Sequence, residues 1–187
     1  MQIHKDIESV LVDEERLNQI ITNLAEQIDR DYSAPDKRLV LVSILKGSVM
    51  FTGALMSKLK TNAEIEFMKV SSYGSSTKSS GYISVLLDLK RPDLSELDLL
   101  IVEDIVDSGR TLNLLTQLLR ERGAKSVRTC TMLDKPTRRE VPFVPDYIGA
   151  EIPDKFVVGF GLDYDEKYRN LPYVGVLRPE VYGALPS

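Results

Sequence analysis

The sequence predicts an α/β protein built on a central parallel sheet with helices on its faces. Three observations lead there. Residues 39–45 (LVLVSIL) and the middle of 98–103 (DLLIVE) are nearly continuous apolar runs, the pattern of strands buried on both faces. Each run is followed by a break bearing glycine and serine, and then by an apolar pattern of helical period. Strand and helix alternate in this way along the chain, as parallel βαβ units require.

The elements follow in order. Residues 13–30 read as an amphipathic helix with Leu17, Ile20, Ile21, Leu24 and Ile28 on one face and Asp13 as its expected N-cap. The strand at 39–45 is broken by Lys46-Gly47-Ser48, and VMFTGALMSKL continues as a helix. Residues 64–70 (EIEFMKV) alternate like a strand. The strand at 98–103 leads through DIVDSG into a helix carrying Leu112, Leu115 and Leu119. Further strands are expected at 125–133 and at 155–160 (KFVVGF). Residues 71–81, SSYGSSTKSSG, fit no regular element; they read either as a solvated hairpin tip or as a mobile lid over a site.

Composition narrows the function. At 187 residues with 43% hydrophobic and 28% charged residues, the chain suits one soluble domain. A net charge of −4 and a pI of about 5.2 give no electrostatic footprint for nucleic acid or an anionic membrane. A single cysteine, Cys130, rules out an intrachain disulfide and fits a reducing, cytoplasmic setting. The single histidine, His4, lies at an N-terminus expected to be mobile, which argues against histidine catalysis and His-rich zinc sites. No secretory signal is read in MQIHKDIESV, and no apolar run approaches the roughly 20 residues of a membrane span.

The most informative stretch is Val102-Glu103-Asp104-Ile105-Val106-Asp107-Ser108-Gly109-Arg110-Thr111. Asp107 to Thr111 lie between a buried strand and a helix start. Backbone N–H groups there, with the Ser108 and Thr111 hydroxyls, make an anion pocket assisted by the helix dipole. Gly109 lets the backbone approach a phosphate closely. Three carboxylates, Glu103, Asp104 and Asp107, surround that pocket, and a bare phosphate would be repelled by them. They make sense if the ligand also presents hydroxyls, or a magnesium ion to neutralise. A ribose 5-phosphate carrying a metal-bound polyphosphate meets these demands. The plainer alternative makes Asp107 a helix cap and leaves Glu103 and Asp104 exposed at a strand end. No GxxxxGK[ST] and no GxGxxG is present, so P-loop and dinucleotide readings are weak.

This segment resembles the phosphoribosyl pyrophosphate motif of type I phosphoribosyltransferases. Within that family the chain is similar to the hypoxanthine-guanine phosphoribosyltransferases of bacterial type. The resemblance runs from about residue 39 to 178 and rests on five places in order: Leu45-Lys46-Gly47-Ser48; Ser72-Tyr73; 102–112; Leu133-Asp134-Lys135-Pro136; and Ile152-Pro153-Asp154-Lys155-Phe156-Val157-Val158-Gly159 with Leu162-Asp163-Tyr164 and Arg169. It implies the type I fold, in one domain over 1–187. The core is expected at about 35–150, with a small hood from the N-terminal segment and about 151–187.

The resemblance also implies roles. The backbone at Lys46-Gly47, behind a cis Leu45–Lys46 peptide, would bind pyrophosphate together with Arg169. Ser72 and Tyr73 would open a loop that closes over it. Glu103 and Asp104 would meet the ribose hydroxyls and hold Mg2+, with Asp163 completing the metal's surroundings. Asp107, Ser108, Gly109, Arg110 and Thr111 would hold the 5-phosphate, and Asp107 would also move a proton at the purine N7. Lys135 would donate to a 6-oxo group, Phe156 would stack on the base, and Val157 and Asp163 would line its site. Arg110 stands where the family commonly has lysine, and RPEVYGALPS is a short C-terminus. The resemblance implies a homodimer or homotetramer, and the helix after Lys46, with Val49, Met50, Phe51, Leu55 and Met56, is apolar enough to want more than one partner surface. Preference for xanthine, or a ligand-sensing regulator without turnover, are the competing readings. The regulator should show a basic face or an appended DNA-binding domain, and neither is visible.

Overall fold

The polypeptide, described over residues 3–72 and 83–183 in a computed structural model, folds around two sheets. The larger has six strands in the order β4-β3-β2-β5-β6-β7: β2 (Leu39–Ile44), β3 (Ala63–Ser72), β4 (Ile83–Leu87), β5 (Asp98–Val106), β6 (Ser126–Asp134) and β7 (Tyr147–Glu151). Every pairing in it is parallel except β3 with β4, which is antiparallel. The expected parallel sheet is therefore present, with an antiparallel edge that the sequence reading did not include.

β2 is buried along its whole length, and its period of two sorts side chains to opposite faces. Leu39 and Leu41 point into one cluster with α1 (Glu14–Tyr32) and α2 (Val49–Met56). Val40 and Val42 point into a second cluster with Leu112, Leu115 and Leu119 of α3 (Arg110–Glu121). Asp13 caps α1, its Oδ1 accepting from the Arg16 N–H at 2.8 Å. The second helix stops at Met56, short of the SKL expected to extend it, and its end tightens as the Lys58 N–H donates to the Leu55 carbonyl three residues back.

Two strand expectations need correction. β5 runs past the expected end at Glu103 to Val106, so Asp104 belongs to the strand rather than to the loop after it. The KFVVGF segment is not a strand of the parallel sheet. Only β8 (Val157–Val158) is extended, and it pairs with β9 (Val174–Leu177) in a separate antiparallel sheet of order β1-β9-β8, where β1 is Ile7–Val12. The chain turns sharply after it, with Gly159 at φ 101, Phe160 at φ 49 and Gly161 at φ 103. His4 is anchored rather than loose: its N–H donates to the Tyr173 hydroxyl at 2.9 Å.

Candidate active site

Parallel sheets present their loops at the carboxyl ends of the strands. Here the ends of β2, β5 and β6 bring together Lys46-Gly47, residues 107–111 and Lys135. Two cavities open there, of about 290 and 470 Å³, and Ile105 and Asp107 line both.

Glu103, Asp107, Ser108, Gly109 and Thr111 line the first. The loop ends at Gly109, whose φ of 77 makes it the N-cap of α3. Asp107 is thus not the cap, and its side chain is half exposed. The first N–H groups of α3 point back into the loop without partners in their own helix, the arrangement that suits an anion. Ser108 Oγ accepts from the Arg110 N–H at 3.3 Å. The Arg110 guanidinium is turned to Glu140, at 2.6 Å, and Arg110 does not line the cavity.

Glu103 and Asp104 stand side by side near the strand end. Burial, followed by the charge of Asp104, raises the Glu103 carboxyl well above the usual range. Burial likewise raises Asp104, although hydrogen bonds from its surroundings pull the other way. Two adjacent carboxyls in a desolvated place favour sharing a proton or taking a hard cation. Among the described residues no group of three or more His, Cys, Asp or Glu side chains is gathered for a metal. A cation at this pair would therefore complete its oxygen shell from substrate and water, as magnesium does.

Lys46-Gly47 is held from two sides. The Leu45–Lys46 peptide is cis, as the resemblance implies. A Cβ at Gly47 would overlap the Asp104 carboxylate, and a Cβ at Gly161 would overlap the Gly47 carbonyl oxygen. Gly161, which the sequence reading passed over, is required by both its positive φ and this close approach.

The second cavity is lined by Lys135, Phe156, Val157 and Asp163, the four residues expected at the base, together with Arg138, Asp154, Lys155, Leu162 and Tyr182. The Lys135 side chain is 8% exposed, and its Nζ lies 3.6 Å from Asp107 Oδ1 and 3.9 Å from Asp154 Oδ1. Phe156 is 41% exposed and Val157 buried. Tyr182 stacks on Phe156 with ring centroids 4.8 Å apart and planes at 20°, and Tyr164 meets both rings edge-on. Asp163 is not grouped with Glu103 and Asp104: its Oδ1 meets Arg169 Nη2 at 2.9 Å and its Oδ2 accepts from the Glu166 N–H at 2.9 Å. Arg169 also donates from Nη1 to the Gly161 carbonyl at 2.7 Å. Tyr73 and the side chain of Ser72 lie outside the described residues.

Two further residues of the site leave little trace in the sequence. Arg139 pairs through Nη2 with Asp134, and donates from Nη1 to the Asp107 carbonyl at 2.5 Å. It thereby ties the end of β6 to the phosphate-type loop. Its only trace in the sequence is the Lys-Pro-Thr-Arg-Arg run. Tyr182 sits in the C-terminal tail, which has no periodicity to mark it.

The family description "Phosphoribosyl transferase domain" matches residues 9–165. The chain is 46% identical over 180 residues to the hypoxanthine-guanine phosphoribosyltransferase of Staphylococcus aureus, covering 96% of this chain and 99% of that protein. It is 45% identical to the bifunctional protein TilS/HprT of Listeria innocua, of whose length it spans only 27%. Among solved structures, the hypoxanthine phosphoribosyltransferase of Trypanosoma cruzi in complex with the product IMP superposes with a TM-score of 0.89 at 42% identity, covering 97% of this chain and 100% of that one. This chain belongs to the phosphoribosyl transferase family, and within it to the hypoxanthine-guanine phosphoribosyltransferases.

Proposed function

We propose that the protein transfers the 5-phosphoribosyl group of phosphoribosyl pyrophosphate to N9 of hypoxanthine or guanine, forming IMP or GMP and releasing pyrophosphate in purine salvage. The observation that carries this is the position of Asp107. Its segment forms an anion-type loop on one side, while on the other Asp107 lines a cavity with a buried lysine and an exposed phenylalanine. The identity to the S. aureus enzyme and the likeness to the T. cruzi enzyme with IMP support the same reading.

In the reaction the bond from ribose C1 to the pyrophosphate oxygen breaks as the bond to N9 forms. The electron pair leaves with pyrophosphate, and the base loses a proton. Residues 107–111 hold the 5-phosphate by backbone N–H groups and hydroxyls. Glu103 and Asp104 accept from the ribose hydroxyls and would hold Mg2+, which supplies positive charge against the leaving diphosphate. Lys46, Gly47 and Arg169 bind that diphosphate, with Ser72 and Tyr73 assigned to the loop that closes on it. Asp107 takes the purine proton, and Lys135 lies close enough to steady its charge. Lys135 donates to the 6-oxo group and leaves adenine, whose amino group is itself a donor, without a fitting partner. Phe156 stacks on the base, and Val157 and Asp163 line it.

The core and hood division, a cytoplasmic setting and a homodimer or homotetramer are part of this proposal. Among the described residues no helix is long and apolar enough to cross a membrane. Of the apolar helix α2, Phe51 and Leu55 are buried, while Val49 is 45% exposed with Met50 and Met56 partly so. Pyrophosphate release measured with each base tests the activity. Turnover with hypoxanthine and guanine is expected, with little on adenine and none in excess chelator. Strong adenine activity or indifference to chelation overturns it. A monomeric mass by light scattering at assay concentration overturns the oligomer.

A further inference from the structure

Arg169 and the side chain of Lys46, whose backbone is assigned to pyrophosphate, share one carboxylate. Lys46 Nζ lies 3.1 Å from both oxygens of Glu166, a residue 120 positions away in sequence. Arg169 Nη2 lies 3.2 Å from Glu166 Oε2. The side chains of Lys46 and Glu166 are 53% and 64% exposed. Exposed ion pairs contribute little to folding, so stability gives a poor reason for the arrangement. The backbone around Glu166 is specialised. Asp165 and Glu166 take φ values of 51 and 62, a left-handed turn that side chains other than glycine seldom adopt. The Asp163 carboxylate ties down the Glu166 N–H. Such a turn directs the Glu166 carboxylate at both cations.

We propose that Glu166 is a displaceable stand-in for the diphosphate. It holds Lys46, and shares Arg169 with Asp163 and the Gly161 carbonyl, in the free enzyme; it yields both cations to the incoming substrate and takes them back as product diphosphate leaves. The proposal rests on the reading that Lys46 and Arg169 bind diphosphate, and deepens it. A carboxylate and a phosphoryl group offer the same kind of oxygen acceptor, but the diphosphate carries more charge and wins the cations in direct competition. Lys46 and Arg169, held at the ionised Glu166 carboxylate, are spared like-charge repulsion, and their order is not lost when the site empties. The consequence is kinetic. A built-in competitor weakens diphosphate binding and speeds its departure, which matters wherever product release limits turnover.

The test uses the intact protein and magnesium pyrophosphate titrated by calorimetry, with Glu166→Gln as the isosteric neutral variant. Removing the competing charge should tighten magnesium pyrophosphate binding by about three- to tenfold, the worth of one or two exposed ion pairs. Product inhibition by pyrophosphate should deepen in parallel, while the single-turnover rate stays within about twofold of wild type. Unchanged or weaker pyrophosphate binding by Glu166→Gln overturns the stand-in, and a weaker one makes Glu166 a supporting ligand instead. Lys46→Met separates this from failure of the underlying reading. If Lys46→Met weakens pyrophosphate binding while Glu166→Gln does not strengthen it, only the stand-in fails. If neither Lys46→Met nor Arg169→Met weakens binding, the diphosphate assignment and the stand-in fail together.

Discussion

The two cavities that meet at Asp107 are built by opposite means. The first draws most of its polar lining from a single run, Glu103 to Thr111, where a strand ends and a helix begins. The second gathers Lys135 and Arg138 from beyond β6, Asp154 to Phe156 from the approach to β8, Val157 from β8 itself, Leu162 and Asp163 from the turn after it, and Tyr182 from the C-terminal segment. The difference follows from what each side must recognise. A phosphate is met by N–H groups and a helix dipole, which any strand–loop–helix junction supplies locally. A planar base needs rings and donors at fixed heights and angles, which only separate segments brought together by packing can offer.

Asp107 belongs to both sides, so its replacement tests the comparison most severely. Asp107→Asn should lower the single-turnover rate by about 10²–10⁴-fold, the usual worth of a general acid–base. Affinity for phosphoribosyl pyrophosphate should change little, because the loop N–H groups and hydroxyls remain. If the rate stays within a few-fold of wild type, Asp107 serves the phosphate loop alone and the two cavities do not share their chemistry.

Arg139 asks whether the local run stands by itself. Its partner Asp134 is 4% exposed, and removing one member of a buried pair costs roughly 3–5 kcal/mol because the other charge is stranded. Arg139→Met should lose stability of that order in denaturant unfolding, and Arg139→Lys should recover part of it. A loss below about 1 kcal/mol would show that the loop needs no tertiary strut.

The raised carboxyls near the end of β5 predict a pH effect. Glu103 and Asp104 bind protons more tightly folded than unfolded. Without metal, their contribution to stability is therefore greatest in acid and is lost as pH rises above the ordinary carboxylate range towards their folded values. Magnesium with pyrophosphate should reverse the loss and release protons on binding, as calorimetry in buffers of different ionisation enthalpy would read. Binding without proton release would mean the pair is already ionised.

The smallest effect is expected at the assembled side. Tyr182→Leu removes an aromatic stack worth about 0.5–1.5 kcal/mol, and should raise KM for the base by roughly two- to tenfold with kcat nearly unchanged. An equal loss in kcat would instead place Tyr182 in the transition state.

By itself the sequence determined the parallel sheet, its buried strands, the capped first helix and the run from Glu103 to Thr111. Hydrophobic period and turn chemistry act over a few residues, so Leu39–Ile44 and Asp13 announce their roles locally. Tertiary structure decided the rest. It extended β5 through Asp104, cut KFVVGF to two extended residues and moved them to the antiparallel sheet. It required glycine at 161 because the Gly47 carbonyl lies where a side chain would be. It set Arg139 against Asp134, Tyr182 on Phe156 and Glu166 between Lys46 and Arg169. Contacts between residues far apart in sequence leave no periodic trace, because they depend on where the packed sheets deliver the chain and not on the neighbours of any one residue.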